Sequence, residues 1–245
     1  RAEVRLLKPF TKAIVRKSEL KVPGLWGSIM SRKRYIDERL SDDAGQMEAV
    51  INLGAGFDTR PFRLPAVENI PTWEIDQPRN IDGKRARIKK LFQSVPQHIT
   101  LVPIDFDRQD LSAVLAENGY EPDKKTFFIW EGVTQYVSEQ GIRATFDYLG
   151  KAPAGSRLVF TYTPKDFIDG ENFYGQQYLY NQMLVKDKIW LFGIDPTKVD
   201  RLLGEYGWQV REHVGYDELV ERYVRPTGRD LGPMAIERIV SAEKD

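Results

Sequence analysis

Between residues 47 and 162, short apolar runs of strand length alternate with stretches of helical spacing, and this alternation constrains the fold more than any other feature. Runs over 48–53, 72–76, 99–105, 125–131 and 157–162 read as strands. Helical patterns cover 80–92, with Ile81, Ile88, Leu91 and Phe92 facing inward, then 111–118 and 138–149, where Ser138 is the N-cap candidate. Strands that alternate with helices predict an α/β fold with a mostly parallel sheet. Further runs over 208–214 and 234–241 bring the count to seven strands and predict a hairpin-like closure of the sheet edge. Upstream, Phe10, Ile14, Val15 and Ser18 sit at helical spacing, Lys21-Val22-Pro23-Gly24 breaks the pattern, and a second helix is expected over 25–40, with Ile29, Tyr35, Ile36 and Leu40 as its apolar positions. The 245 residues are read as one domain: a helical N-terminal cover (1–46), a ligand-binding core (47–162), an aromatic-rich lid (163–195) and a C-terminal part (196–245) whose short helix opens at Pro196.

In an open parallel sheet, ligands bind beyond the carboxyl ends of the strands. Four of the predicted strand ends carry Gly54-Ala55-Gly56, Asp76, Asp105 and Glu131, so all four are expected to line one crevice. The glycines permit a sharp turn and close approach of backbone to ligand. An acid at the second strand end, about twenty residues further on, suits a ribose diol, which offers two hydroxyl donors to one carboxylate. The pattern fits a dinucleotide or an adenosyl ligand. Two residues weigh against the dinucleotide of an NAD(P)-dependent oxidoreductase: Thr59 stands where a third glycine belongs, and Asp58 would set a carboxylate beside a diphosphate.

Composition narrows the chemistry. There is no cysteine, which removes thiolate metal sites, disulfides and cysteine nucleophiles, and only His98 and His213 are available as histidine ligands or bases, so no metal is expected. The segment Asp105-Phe106-Asp107-Arg108-Gln109-Asp110 resembles the start of a calcium loop, but Asp110 replaces the required glycine and Ala116 the required glutamate. Thirty-six basic and 36 acidic side chains cancel. This balance argues against a broad nucleic-acid surface, and the basic run at 84–90 is read as the solvated face of a packed helix. No apolar run is long enough for a membrane span and no secretory signal opens the chain, so a cytoplasmic protein is expected.

The stretch Asn52-Leu53-Gly54-Ala55-Gly56-Phe57-Asp58-Thr59-Arg60-Pro61-Phe62-Arg63-Leu64 resembles the first motif of the leucine carboxyl methyltransferase family. Glu74-Ile75-Asp76-Gln77-Pro78, Pro103-Ile104-Asp105-Phe106-Asp107 and Trp130-Glu131-Gly132-Val133-Thr134-Gln135-Tyr136 resemble the second, third and fourth motifs, and Arg32-Lys33-Arg34-Tyr35-Ile36-Asp37 resembles the family's arginine-bearing helix. The resemblance spans about residues 30–162. It implies a Rossmann-like S-adenosylmethionine (SAM)-dependent O-methyltransferase. By that resemblance Arg34 pairs with the SAM carboxylate, with Arg32 or Lys33 as alternatives. Gly54, Ala55 and Gly56 pass the methionine moiety, Asp76 holds the ribose, Asp105 accepts from the adenine amino group with Phe106 beside the ring, and Glu131 sits near the amino group and the transferred methyl.

SAM is already activated by its sulfonium, so the protein chiefly aligns donor and acceptor for in-line displacement. A carboxylate acceptor needs no base, whereas an alcohol or phenol does. No convincing base stands out in the sequence, which leans toward a carboxylate or an acidic hydroxyl. Family acceptors range from a protein C-terminal leucine to small molecules. The aromatic stretch Phe167, Phe173, Tyr174, Tyr178, Tyr180 and Trp190 favours an enclosed small-molecule pocket. A non-catalytic SAM-binding protein on the same fold is the remaining alternative.

Overall fold

The structure is a computed structural model and describes residues 13–229 and 231–245; Phe10, one of the expected helical positions, lies outside them. Residues 13–21 form helix α1. The main elements that follow are α2 (Leu25–Asp43), β1 (Ala49–Leu53), α3 (Arg60–Arg63), β2 (Thr72–Asp76), α4 (Pro78–Phe92), β3 (Ile99–Pro103), α5 (Leu111–Glu117), β4 (Thr126–Trp130), α6 (Glu139–Leu149) and β5 (Arg157–Tyr162). After them come α7 (Lys165–Ile168), α8 (Gln177–Tyr180), α9 (Val199–Gly204), β6 (Trp208–Val214), α10 (Tyr216–Leu219) and β7 (Arg238–Lys244). The seven strands make one sheet in the order β3-β2-β1-β4-β5-β7-β6, parallel from β3 to β5, with β7 antiparallel to both its neighbours.

Every residue of β1, β2 and β4 is buried. Helices cover both faces there, which is why these strands read as unbroken apolar runs. On one face Ile51, Leu53, Phe128, Trp130, Leu158 and Phe160 pack against α5, α6 and α9 through Leu115, Ile142, Phe146 and Leu203. On the other, Val50, Phe127, Ile129 and Val159 meet Tyr35, Ile36 and Leu40 of α2. The caps follow the local sequence: Ser138 Oγ accepts from Gly141 N at 3.2 Å, and Asp110 Oδ1 accepts from Ala113 N at 2.7 Å.

Several expectations need correction. The third strand stops at Pro103, although Ile104 N still donates to Asp76 O at 2.9 Å, and Asp105 lies in the following turn and not at the strand end proper. Leu91 and Phe92 do not face inward: α4 buries Ile81, Lys84 and Ile88, then runs past the sheet, leaving Leu91 exposed and Phe92 stacked on Phe62 at 5.4 Å. Lys84, the first residue of the basic run, is buried and not solvated. The last strand is β7 at Arg238–Lys244, later than the expected 234–241, because Met234 and Ile236 pack into a separate cluster with Val22, Phe167 and Leu179. The hairpin-like edge closure is present: β6 and β7 pair antiparallel, with β7 between β5 and β6 and β6 at the edge.

The stretch after β5 folds into α7, α8 and a wide helical turn over Asn181–Lys186, and its Phe167, Leu179, Tyr180, Met183 and Trp190 pack together over the sheet ends. Among the described residues no helix is long and apolar enough to cross a membrane.

Candidate functional site

The strand order reverses between β1 and β4, where β1 leads to β2 on one side and the later strands add on the other. The loops that leave β1 and β4 therefore diverge and open a crevice. Gly54 begins the first loop at φ +71°, and a Cβ built on it would sit 2.2 Å from Val133 of the second. Only glycine satisfies both the left-handed backbone and that approach. Ala55 is buried and its N–H donates to Ile75 O at 2.8 Å, tying the loop to β2. Gly56 N donates to Asp76 Oδ2 at 2.6 Å. The other Asp76 oxygen accepts from Gln77 N at 2.7 Å and Asn80 Nδ2 at 2.8 Å. The carboxylate is thus held and oriented at the mouth of the crevice, with lone pairs left for a ligand. Asp105 is half-exposed in the turn beyond β3, held by a backbone bond from Asp107 at 3.1 Å, and Phe106 packs partly against the core beside it.

Glu131 is built into a buried ion cluster. Arg60 on α3 is 1% exposed and sends Nε to Asp37 at 2.7 Å and one terminal nitrogen to both Asp58 at 2.5 Å and Glu131 at 2.7 Å. Arg32 Nε donates to the other Glu131 oxygen at 2.9 Å, Lys33 Nζ lies 3.7 Å from it, and Arg63 reaches Asp37 at 2.6 Å. Asn52 Nδ2 adds a bond to Asp58 at 2.9 Å. Burial alone would raise the Asp58 carboxyl, but Arg60 outweighs it and holds the group below the usual carboxylate range. Burial likewise acts to raise Glu131, and Arg60, Arg32 and Lys33 together bring it below. The cluster joins α2, the β1 loop and the β4 loop, so it fixes the crevice walls relative to one another.

Arg34 does not join this arrangement. Its side chain is 69% exposed and pairs with Glu38 at 2.7 Å, in a separate groove with Met30 and Tyr223. Two residues along a helix correspond to a rotation of about 200°, so Arg32 and Arg34 face opposite ways. Arg32 stands three and four residues before the buried Tyr35 and Ile36, on the face that meets the sheet. That spacing could have singled out Arg32 from the sequence. Arg60 and Asp37 were also missed as site residues, although both lie inside the quoted motifs.

A cavity of about 210 Å³ opens on the far side of the β4 loop. Gly132 and Arg32 form one wall, Thr161 to Thr163 at the end of β5 another, and Tyr136, Leu179, Met183 and Trp190 an apolar roof. Tyr136 and Trp190 meet edge to face at 6.1 Å. Glu237, just before β7, is a buried acid in its lining, 3.5 Å from Arg32. No sequence pattern pointed to Glu237, which lies more than a hundred residues from the four motifs. The histidines lie elsewhere: His98 contacts Pro61 O at 3.2 Å, and His213 contacts the Tyr162 hydroxyl at 2.8 Å.

The crevice fits SAM by its donor set. The glycine turn admits a ligand at the backbone, carboxylates at the end of β2 and in the turn after β3 can accept from hydroxyl and amino donors, and the cations of α2 stand nearby. The buried Asp58 at the turn is ill suited to a pyrophosphate. Among the described residues no group of three or more acidic or histidine side chains is arranged to hold a metal ion.

Comparison with known proteins agrees with this. An S-adenosyl-L-methionine-dependent methyltransferase, so named, of Mycobacterium ulcerans (strain Agy99) is 29% identical over 230 residues, covering 87% of this chain and 72% of its own. YktD of Bacillus subtilis (strain 168), with the same designation, is 26% identical over 195 residues, covering 78% of this chain and 64% of its own. Among solved structures, a protein of Thermobifida fusca YX described as a methyltransferase superposes with a TM-score of 0.69 at 14% identity, over 96% of this chain and 88% of that one. The neocarzinostatin O-methyltransferase NcsB1, solved with SAM and 2-hydroxy-5-methyl naphthoic acid, gives 0.52 at 12% identity, over 90% and 57%. These two likenesses show the fold. The family model for leucine carboxyl methyltransferase matches residues 3–150, the span that carries all four strand-end motifs and α2. The oxidoreductase alternative falls away, and the chain belongs to the leucine carboxyl methyltransferase family, as an enzyme that uses SAM for methyl transfer.

Proposed function

We propose that this enzyme methylates an oxygen of a small, largely apolar molecule held in the cavity beside Gly132. The observation that carries the reading is the shared wall: Arg32 lines the cavity and also bonds Glu131 of the crevice, so cofactor and acceptor spaces meet at the β4 loop. Bound SAM supplies an electrophilic methyl group. The residues proposed to hold it are Gly54, Ala55 and Gly56 along the backbone, Asp76 at the ribose, and Asp105 with Phe106 at the adenine. Arg32 with Lys33, in place of Arg34, would neutralise its carboxylate. Glu131 acts in this reading through its loop, because its carboxylate is committed to Arg60 and Arg32. The rest of the task is alignment and exclusion of water, for which the roof of Tyr136, Leu179, Met183 and Trp190 is suited. In this reading residues 163–195 serve as the lid of a single catalytic unit, and a small molecule is favoured over a protein C-terminus because the space is walled on several sides.

Incubation with methyl-tritiated SAM tests this directly. Label is expected in small hydroxy- or carboxy-aromatic acceptors and absent from peptides that end in a leucine carboxylate. Label entering such peptides alone would overturn the small-molecule reading.

A further inference from the structure

We propose that Glu237 is the general base of the acceptor cavity, and that the cavity therefore takes hydroxyl acceptors, phenols above all, in preference to carboxylates. The proposal rests on the small-molecule reading above and gives it a substrate class. Glu237 is 6% exposed and borders the cavity. Among the described residues it pairs with Arg32 at 3.5 Å, and Ser28, whose hydroxyl accepts from Met234 N at 2.8 Å, also lines the cavity. Among the described residues Arg32 is the one basic side chain in the lining; its Nε is on Glu131 at 2.9 Å, and the reading above commits its remaining charge to the SAM carboxylate. Its guanidinium is also held close to the β4 loop, since a Cβ built on Gly132 would lie 3.1 Å from it.

Charge then decides between acceptors. A carboxylate entering the cavity would meet a second, buried carboxylate with no uncommitted cation to offset it, and like charges at close range in a poorly solvated space are costly. A hydroxyl has a proton to give, and Glu237 has lone pairs to receive it. Burial pushes the Glu237 carboxyl up, against the opposing pull of Arg32, which makes it a better proton acceptor than an exposed glutamate. In the transfer the acceptor oxygen forms its bond to the methyl carbon, the carbon–sulfur electron pair leaves with the thioether, and the hydroxyl proton goes to Glu237. The Tyr136 and Trp190 rings in the cavity roof, which meet edge to face, suit an aromatic acceptor.

The matched pair 2-naphthol and 2-naphthoate provides the test, titrated by fluorescence into the full chain saturated with S-adenosylhomocysteine. 2-Naphthol reports its surroundings, because naphtholate emission appears when its hydroxyl lies against a proton acceptor. The expected result is tighter binding of 2-naphthol by about tenfold or more, with naphtholate emission from the bound state. Glu237→Gln should lose that emission, lower methyl transfer to 2-naphthol by about 10²–10⁴-fold, and bind 2-naphthoate at least as well as the parent. Preference of the parent for 2-naphthoate would overturn the assignment of Glu237 while leaving the small-molecule reading intact. Binding of neither compound would overturn both. The parent's ratio of the two affinities needs no variant, so the proposal remains testable if Glu237→Gln folds poorly.

Discussion

Two residues before Asp76, the carboxylate of Glu74 is fully buried on β2 and meets Lys84 of α4 at 2.5 Å, and its second oxygen has no partner among the described residues. Burial pushes the Glu74 carboxyl up to about 7, and Lys84 recovers only part of that cost. The sign of the consequence is definite. A carboxyl whose folded-state pKa lies above its ordinary value of 4.5 contributes stability that is fully present below that value and lost as pH rises through about 7. Asp58 and Glu131 behave oppositely: both are held low, so the stability they contribute is lost only as pH falls below the ordinary carboxylate range. Denaturant unfolding of the parent should therefore show a loss on the order of 2–3 kcal/mol between pH 4.5 and 7 that Glu74→Gln lacks. Parallel pH profiles for parent and variant would mean that Glu74 is not the source. At this scale, legibility depended on what fixes a side chain. Gly54 and Asp76 could be read from sequence because strand ends determine their positions. The choice of Arg32 over Arg34 depends on which face of α2 meets the sheet. The partnership of Glu74 with Lys84 depends on the phase of α4, where the expected inward face was right for Ile81 and Ile88 and wrong for Leu91 and Phe92.

At the scale of elements, α2 does more than cover the sheet. It carries Arg32, Lys33 and Asp37 into the cluster around Arg60, so one helix face both packs on β4 and β5 and ties the two crevice loops together. Arg60 is the hinge of that arrangement, because three carboxylates converge on it. Removing a buried partner leaves charges uncompensated, so Arg60→Met should cost about 3–5 kcal/mol. It should also raise amide exchange in α2 and in the loop after β1 more than in β4. A loss below about 1 kcal/mol, the range of a surface pair, would show that the cluster does not hold these elements together. Strands β1, β2, β4, β5 and β6 were readable to within a residue or so, because each is a compact apolar run with a turn after it. The placement of β7 was not. Met234 and Ile236 look like strand residues, yet they serve the cluster around Phe167, and the long connection from β6 lets β7 enter the sheet beside β5.

Across the whole molecule, the cofactor and acceptor spaces proposed above draw on two parts of the chain. The family match covers residues 3–150, and the SAM crevice lies within it. The proposed acceptor cavity draws also on Thr161 to Thr163, the segment around Met183 and Trp190, and Met234 to Glu237, all beyond that match. The cofactor half was therefore legible as ordered motifs, whereas the acceptor half appeared only as an aromatic-rich stretch. Its buried acid emerges from the fold alone. The neutral total charge conceals a dense local arrangement, with Asp37, Asp58, Glu131 and Glu237 set against Arg32, Lys33, Arg60 and Arg63 at the junction of the two spaces. Calorimetric titration of S-adenosylhomocysteine tests the central claim, that the cofactor lies across the ends of β1 and β2 with its ribose on Asp76 and its carboxylate near Arg32. Asp76→Ala and Arg32→Ala are each expected to weaken binding by about tenfold or more, the worth of a lost hydrogen bond to a charged group, while Arg34→Ala binds like the parent. Unchanged affinity in Asp76→Ala, or a loss in Arg34→Ala matching that in Arg32→Ala, would contradict it.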